Sequence, residues 1–102
     1  MKLEELIVKC KDTTKPYAEW ILDHKTSIRV FSSDSPAHLF KWHYDHEDRL
    51  IEVINSAGWK FQFDNDLPFL LDKDKYLSIK KGNFHRLIKG DGQLIIKVHK
   101  KI

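Results

Sequence analysis

The spacing of hydrophobic and polar residues changes near residue 26 of the 102-residue chain. Before that point, apolar residues recur at i, i+3, i+4 and i+7, first in Leu3–Cys10 and again in Tyr17–His24. This spacing is typical of amphipathic helices. Pro16 is acceptable in the first turn of the second segment, because its missing N–H would have no partner there. The pattern therefore predicts two short helices within residues 1–26.

From residue 27 onward the spacing predicts short β-strands separated by turns. Trp59–Phe63 alternates strictly, which places three aromatic rings on one face and Lys60 and Gln62 on the other. A tight hairpin turn is predicted at 90–92. The predicted strands are Ser27–Phe31, Leu39–His43, Leu50–Ile54, Trp59–Phe63, Tyr76–Ile79, His85–Ile88 and Leu94–Val98. Several short strands of this kind are typical of an antiparallel barrel or sandwich.

The length and composition fit one globular domain that needs no covalent staples. The sequence is 41% hydrophobic and 32% charged, which is ordinary for such a domain. Cys10 is the single cysteine, so an internal disulfide is excluded and a reducing, cytoplasmic location is expected. Residues 1–11 include Glu4 and Glu5 and no long apolar stretch, so we expect neither a signal peptide nor a membrane span.

The charge distribution gives little support for a nucleic-acid partner. The net charge is only +3. The part of the chain from Lys80 onward is basic, with Asp91 as its one acidic residue, and a solvated surface explains this better than a phosphate-binding patch. Glycine-framed serines, phosphate loops and base-stacking patterns are all missing from the sequence.

Three residues have side chains and spacing suited to a metal site. His43 and Asp45 lie two residues apart, which places both side chains on one face of a strand. His85 stands at the start of another predicted strand. Two imidazoles and one carboxylate bind iron(II) in non-haem sites and zinc in others, and they leave coordination positions open. We therefore expect a site for Fe, Mn, Ni or Zn, although a histidine at a strand end can instead bond the backbone.

Two further residues, with His85, are candidates for binding a small polar ligand. Arg49 follows a polar run, and its guanidinium can hold a carboxylate through two hydrogen bonds. Pairing of Arg49 with Asp48 or Asp64 is the alternative. Gln62 lies opposite the aromatic face of its strand, so we expect it at the mouth of the barrel.

Two segments have the spacing of a known pair of motifs. Ile79–His85 resembles the second cupin motif, in which a strand ends in a Pro-x-Gly turn and a histidine follows two residues later. His43-Tyr44-Asp45, the strand Leu50–Ile54 and then Gly58 resemble the first, in which two histidines separated by one residue precede a glutamate, a strand and a glycine turn. The resemblance covers roughly residues 38–99.

The chain also departs from these motifs at three positions. Asp45 stands in place of the second histidine, Arg49 stands approximately where the glutamate ligand is found, and Lys80 replaces the proline. Two of the four ligands that the resemblance implies, His43 and His85, are intact. Asp45 is a chemically competent substitute for a third.

The resemblance implies one cupin-like domain over residues 1–102, with a helical extension at 1–26 and a small antiparallel jelly-roll barrel at 27–102. It implies either a metal-dependent enzyme, such as an oxygenase or isomerase, or a non-catalytic module that binds a small molecule or a protein. The sequence is also similar to small cupin-like proteins encoded by bacteriophages, which would place it in the host cytoplasm. The aromatic content of 12% and the open sheet edges predict a homodimer.

Overall fold

Alternating apolar and polar residues form antiparallel strands in the described part of the chain, residues 17–34 and 40–101 of a computed structural model. The strands described there are β1 (Tyr17–Ile21), β2 (Thr26–Phe31), β3 (Asp48–Ser56), β4 (Lys60–Phe63), β5 (Phe69–Leu70), β6 (Tyr76–Ile79), β7 (His85–Ile88) and β8 (Leu94–Lys101). One sheet has the order β1-β2-β8-β3-β6 and the other β5-β4-β7. In this part of the chain, no helix is long and apolar enough to cross a membrane.

The main core lies between the two sheets, because each sheet turns an apolar face towards the other. Leu94, Ile96 and Val98 project from one side of β8 and pack in one cluster with Trp59 and Phe61. Burying side chains of this size contributes about 1.5–3 kcal/mol each. The predicted aromatic face of the Trp59–Phe63 segment is thereby confirmed.

The larger sheet is also apolar on its other face. Val30 and Ile95 directly adjoin Phe31 and Ile96 in sequence, yet they belong to a second cluster that includes Ala18. Successive side chains in a strand point to opposite faces. The central strand β8 is therefore buried on both sides, which explains its nearly continuous apolar run.

The predicted helix at Tyr17–His24 is wrong, because this segment contains β1. Tyr17 pairs with Phe31 and Ile21 with Ser27 along the edge of the larger sheet. Tyrosine, tryptophan and isoleucine favour strands, and over a window this short the pairing with β2 decides the structure. The sheet therefore starts at Tyr17, earlier than the predicted start at residue 27. The other predicted helix, Leu3–Cys10, lies outside the described residues.

The described strands form two separate sheets and not a closed barrel. The predicted hairpin between β7 and β8 is wrong, because β7 pairs with β4 while β8 pairs with β2 and β3. Gly90 carries the chain from one sheet to the other, close to the turn after β3. A Cβ atom at Gly90 would lie 2.6 Å from the Gly58 carbonyl carbon and from the Trp59 nitrogen. Gly90 thus marks a crossing of two backbones.

Candidate metal centre

The two histidines of the predicted site are joined through their backbones. His43 donates its N–H to the His85 carbonyl at 3.0 Å, and His85 donates to the His43 carbonyl at 2.9 Å. Residues that exchange both bonds lie directly opposite each other, so their side chains share one face. The two rings accordingly lie 4.3 Å apart between centroids. The strand predicted at Leu39–His43 is reduced to this single bridge within the described residues.

Asp45 reaches the same face because it lies two residues beyond His43. Its carbonyl accepts a hydrogen bond of 3.0 Å from the N–H of Gly82, and Asp48 Oδ1 accepts one of 2.8 Å from the N–H of Lys81. Gly82 has a φ of 83°, a conformation that glycine adopts without strain. This turn therefore fixes the His43–Asp45 segment against the start of β7.

Each imidazole is oriented by a backbone carbonyl. His43 Nδ1 lies 2.9 Å from the Lys41 oxygen, and His85 Nδ1 lies 2.8 Å from the Asn83 oxygen. Because a carbonyl only accepts, these bonds require the proton on Nδ1 in both rings. The Nε2 lone pairs remain free, which is the arrangement found in metal-binding histidines.

The Asp45 carboxylate divides its two oxygens between different neighbours. Oδ1 forms an ion pair with Arg49 Nη1 at 3.1 Å, and Arg49 Nη2 donates a hydrogen bond to Glu47 Oε1 at 3.2 Å. Oδ2 is buried, has no hydrogen-bond partner among residues 17–34 and 40–101, and lies 3.4 Å from His85 Nε2. Arg49 therefore orients Asp45 and leaves one carboxylate oxygen facing the imidazole. The predicted alternatives for Arg49, pairing with Asp48 or Asp64, are replaced by this pairing with Asp45 and Glu47.

Burial acts on the ionisation of His85. Its side chain is 5% exposed, and loss of hydration lowers the pKa of His85 below the usual 6.5. The Asn83 carbonyl and Asp45 raise the pKa, while His43 and Arg49 lower it. The Phe61 ring lies nearly parallel to the imidazole, with centroids 5.3 Å apart. The burial of His85 therefore favours the neutral form, which is the form that binds metal.

The donor atoms fit a metal ion. One ligand atom from each of His43, Asp45 and His85 lies within 4.8 Å of the others. Ligand bonds of about 2.1 Å in a tetrahedral site place neighbouring donors about 3.4 Å apart. The separation of His85 Nε2 from Asp45 Oδ2 is also 3.4 Å. The residues present therefore suit a divalent transition metal with open coordination positions.

The three donors line a cavity of about 110 Å³ between the sheets. Asp45 and His85 are buried, whereas His43 is exposed. Arg49 also lines the cavity, and so does Arg29, which bonds Glu19 at 2.9 Å. The apolar lining comprises Phe31, Phe40, Ile51, Phe61, Leu71, Leu77, Ile79, Leu87, Ile96 and Val98. The cavity is thus an apolar chamber with one polar end, which is formed by His43, Asp45, Arg49 and His85.

The other sequence candidates have mixed outcomes. The structure places Gln62 away from the cavity, where it bonds the Asp66 carbonyl and accepts from Arg86. Glu47, which lies in the polar run before Arg49, forms an ion pair with Arg49. Arg29 was overlooked, although its position two residues before Phe31 places it on the inward face of β2. That spacing was the signal available in the sequence.

No protein-family model matches the sequence, and no curated protein has significant sequence similarity to it. Solved structures match the fold. A protein from Neisseria meningitidis superposes with a TM-score of 0.68 at 11% identity, covering 99% of this chain and 98% of its own. A cupin-2 domain protein from Shewanella frigidimarina gives 0.63 at 13% identity, with 98% and 100% coverage. The chain has a cupin fold.

The cupin fold is shared with an enzyme as well. The DMSP lyase DddQ from Ruegeria pomeroyi matches with a TM-score of 0.67 at 15% identity, over 89% of this chain. This chain spans 49% of the lyase chain, about half its length. The three solved structures come from bacteria, and they give no support to the bacteriophage origin that the resemblance implied.

Proposed function

We propose that this cupin domain binds one divalent transition metal ion through His43, Asp45 and His85, and presents it to a small ligand in the cavity. Fe, Mn, Ni and Zn all accept this donor set. The bound ion would act as a Lewis acid on an oxygen atom of the ligand. The enzymatic form of the proposal is an oxygenase or isomerase reaction on a small acid or sugar-like substrate.

One observation carries the proposal. In the neutral Nδ1–H tautomer, His85 Nε2 presents a lone pair to Asp45 Oδ2 at 3.4 Å, and Oδ2 is buried without a hydrogen-bond partner in the part of the chain that the structure describes. Two acceptors in this arrangement repel each other, and an unpaired buried polar atom costs about 1–3 kcal/mol. A cation between the two atoms removes both penalties.

The protein's own residues have defined tasks in this proposal. The Lys41 and Asn83 carbonyls hold the imidazoles in the metal-binding tautomer. Arg49 holds the Asp45 carboxylate in place. The apolar walls exclude water from the ligand and strengthen the electrostatic interactions at the polar end.

Metal binding to purified, untagged protein tests the proposal. We expect one equivalent of zinc or manganese per chain by elemental analysis after dialysis, and one site by titration calorimetry. His85→Ala should weaken metal binding by more than about 100-fold, since one of three ligands is lost. His24→Ala is the matched control, because His24 is exposed in the turn between β1 and β2. Equal metal binding by wild type and His85→Ala would refute the proposal.

A non-catalytic binding module is the second candidate, and exposed aromatic residues favour it. Trp42, Tyr44 and Phe84 are 43–48% exposed, and they lie on the segments that carry His43 and His85. Tyr44 and Phe84 contact each other with centroids 5.0 Å apart. Tyr44→Lys should abolish the binding of a protein partner that docks on these aromatic residues, whereas His85→Ala should leave that binding unchanged.

A further inference from the structure

The geometry of the cavity points to its ligand: we infer that the metal-loaded site binds a short monocarboxylate of about four to six heavy atoms. The carboxylate would lie at the polar end beside Arg49, and the apolar tail would lie between the sheets. This inference rests on the proposed function, because it requires the metal ion.

The first step is the charge of the polar end. Asp45, Glu47 and Arg49 form one ion-paired cluster with a net charge of −1. Both imidazoles are neutral when they ligate. A divalent ion changes the net charge of the polar end to +1. The metal-free site therefore repels an anion, whereas the metal-loaded site attracts a single negative charge.

The second step is the hydrogen-bonding capacity that remains on Arg49. Two of its guanidinium nitrogens are paired with Asp45 and Glu47, while Arg49 Nε is buried without a hydrogen-bond partner in the described part of the chain. The Arg49 side chain is 15% exposed and lines the cavity. A ligand oxygen would satisfy this donor once the guanidinium turns towards the cavity.

The third step is the size and lining of the chamber. Ten apolar side chains line it, and its volume is about 110 Å³. An apolar protein cavity of about 150 Å³ binds benzene, which has six heavy atoms. A chamber somewhat smaller than that fits a short aliphatic tail. Of the two substrate classes in the proposed function, this chamber favours the small acid, because a sugar would place its many hydroxyl groups against apolar walls and a longer fatty acid would exceed the volume.

Sodium n-butyrate, titrated into zinc-loaded and EDTA-treated wild-type protein, tests the inference. We expect saturable binding to the zinc-loaded form and at least 10-fold weaker binding to the metal-free form. Butyramide, the neutral analogue, should bind at least 10-fold more weakly than butyrate. From acetate to butyrate, each added CH₂ should strengthen binding about 4-fold. Octanoate should bind more weakly than butyrate, because its tail exceeds the chamber.

Two variants locate the ligand within the site. Arg49→Gln should weaken butyrate binding at least 10-fold relative to wild type when both proteins are fully loaded with zinc. Its zinc affinity is measured separately, because Arg49 also orients the Asp45 carboxylate. Arg86→Gln is the matched control, because Arg86 bonds Gln62 and stacks on Trp42 away from the cavity. Should Arg49→Gln fail to fold, Leu77→Phe provides the second test. It fills the chamber, so butyrate binding should fall while acetate and zinc binding persist.

Each outcome decides between the two claims. A wild-type protein that binds zinc but does not distinguish butyrate from butyramide overturns the inference alone. Butyrate binding of equal strength in the zinc-loaded and metal-free proteins would also overturn the inference alone. A protein that binds no metal overturns the proposed function, and the inference with it.

Discussion

At the scale of single residues, the site depends on how backbone groups orient side chains. His43 and His85 bond each other through the main chain and bond nearby carbonyls through Nδ1. The period of two predicted that His43 and Asp45 share one face of a strand, and the resemblance of Ile79–His85 to the second cupin motif identified His85 as their partner. Glu47 and Arg29 could not be predicted with them, because their contacts depend on which distant strands become neighbours.

The lowered pKa of His85 predicts a pH dependence of stability. Burial is the largest cause of the lowered pKa. In the unfolded chain the histidine pKa is about 6.5, so the unfolded chain binds the proton of His85 more tightly than the folded chain does. The free energy of unfolding of metal-free protein should therefore be constant above pH 6.5. It should decrease as the pH falls below 6.5, until the folded-state pKa is reached.

Urea unfolding between pH 7 and pH 5 measures this dependence. His85→Gln cannot titrate at this position, so its free energy of unfolding should vary less with pH than that of the wild type. His24→Ala, which removes an exposed histidine, should follow the wild type. Identical pH profiles for wild type and His85→Gln would contradict the assignment.

At the scale of elements, local patterns determined some strands and sheet pairing determined others. The bounds of β6 and β7 were predicted correctly because turn residues flank short apolar strands. β1 was predicted as a helix because the spacing of its apolar residues fits both the helical period of 3.6 and the strand period of 2. Only the pairing of β1 with β2 distinguishes the two structures. The predicted hairpin at 90–92 failed for a related reason, since glycines serve backbone crossings as well as turns.

Gly90→Ala tests the crossing between the two sheets. The added Cβ would meet backbone atoms of Gly58 and Trp59 at 2.6 Å, and backbone cannot move aside cheaply. We expect a loss of about 3–4 kcal/mol in the free energy of unfolding. Gly82→Ala is the comparison, since nothing lies within 4 Å of its Cβ position and only the φ of +83° opposes the change. Its cost should be about 1–2 kcal/mol.

Chemical denaturation of both variants gives the two costs directly. The Trp59 indole donates a hydrogen bond to the Gly92 carbonyl at 2.8 Å, close to Gly90 in the chain. The near-UV circular dichroism of the protein should therefore change in Gly90→Ala and not in Gly82→Ala. A smaller cost for Gly90→Ala than for Gly82→Ala would show that the backbones do not cross as described.

At the scale of the whole molecule, two sheets enclose a cavity and leave open edges. Among residues 17–34 and 40–101, β1 and β6 are the edges of the larger sheet, and β5 and β7 are those of the smaller one, with β7 bridged to His43 at its start. Unpaired edges and exposed aromatic residues favour association between copies. The sequence indicated the edges and the aromatic content, but the exposure of Trp42, Tyr44 and Phe84 follows only from the fold.

We therefore predict a homodimer that uses the exposed aromatic surface of Trp42, Tyr44 and Phe84. Multi-angle light scattering at about 100 μM should give about twice the chain mass of 12.1 kDa. Tyr44→Lys should shift the protein to the monomer, because a charge at the interface must be desolvated. Leu67→Lys, between β4 and β5 and also exposed, should leave the mass unchanged. A monomer in the wild type would end this prediction.

The central claim is that His43, Asp45 and His85 bind one metal ion together, and the X-ray absorption spectrum of the zinc-loaded protein tests it most directly. The account predicts a light-atom first shell at about 2.0–2.2 Å with the multiple scattering of two imidazole rings. In His85→Ala at the same zinc loading, the imidazole contribution should fall to one ring or fewer. A spectrum with sulfur ligands, or with the same imidazole scattering in the variant, would contradict it.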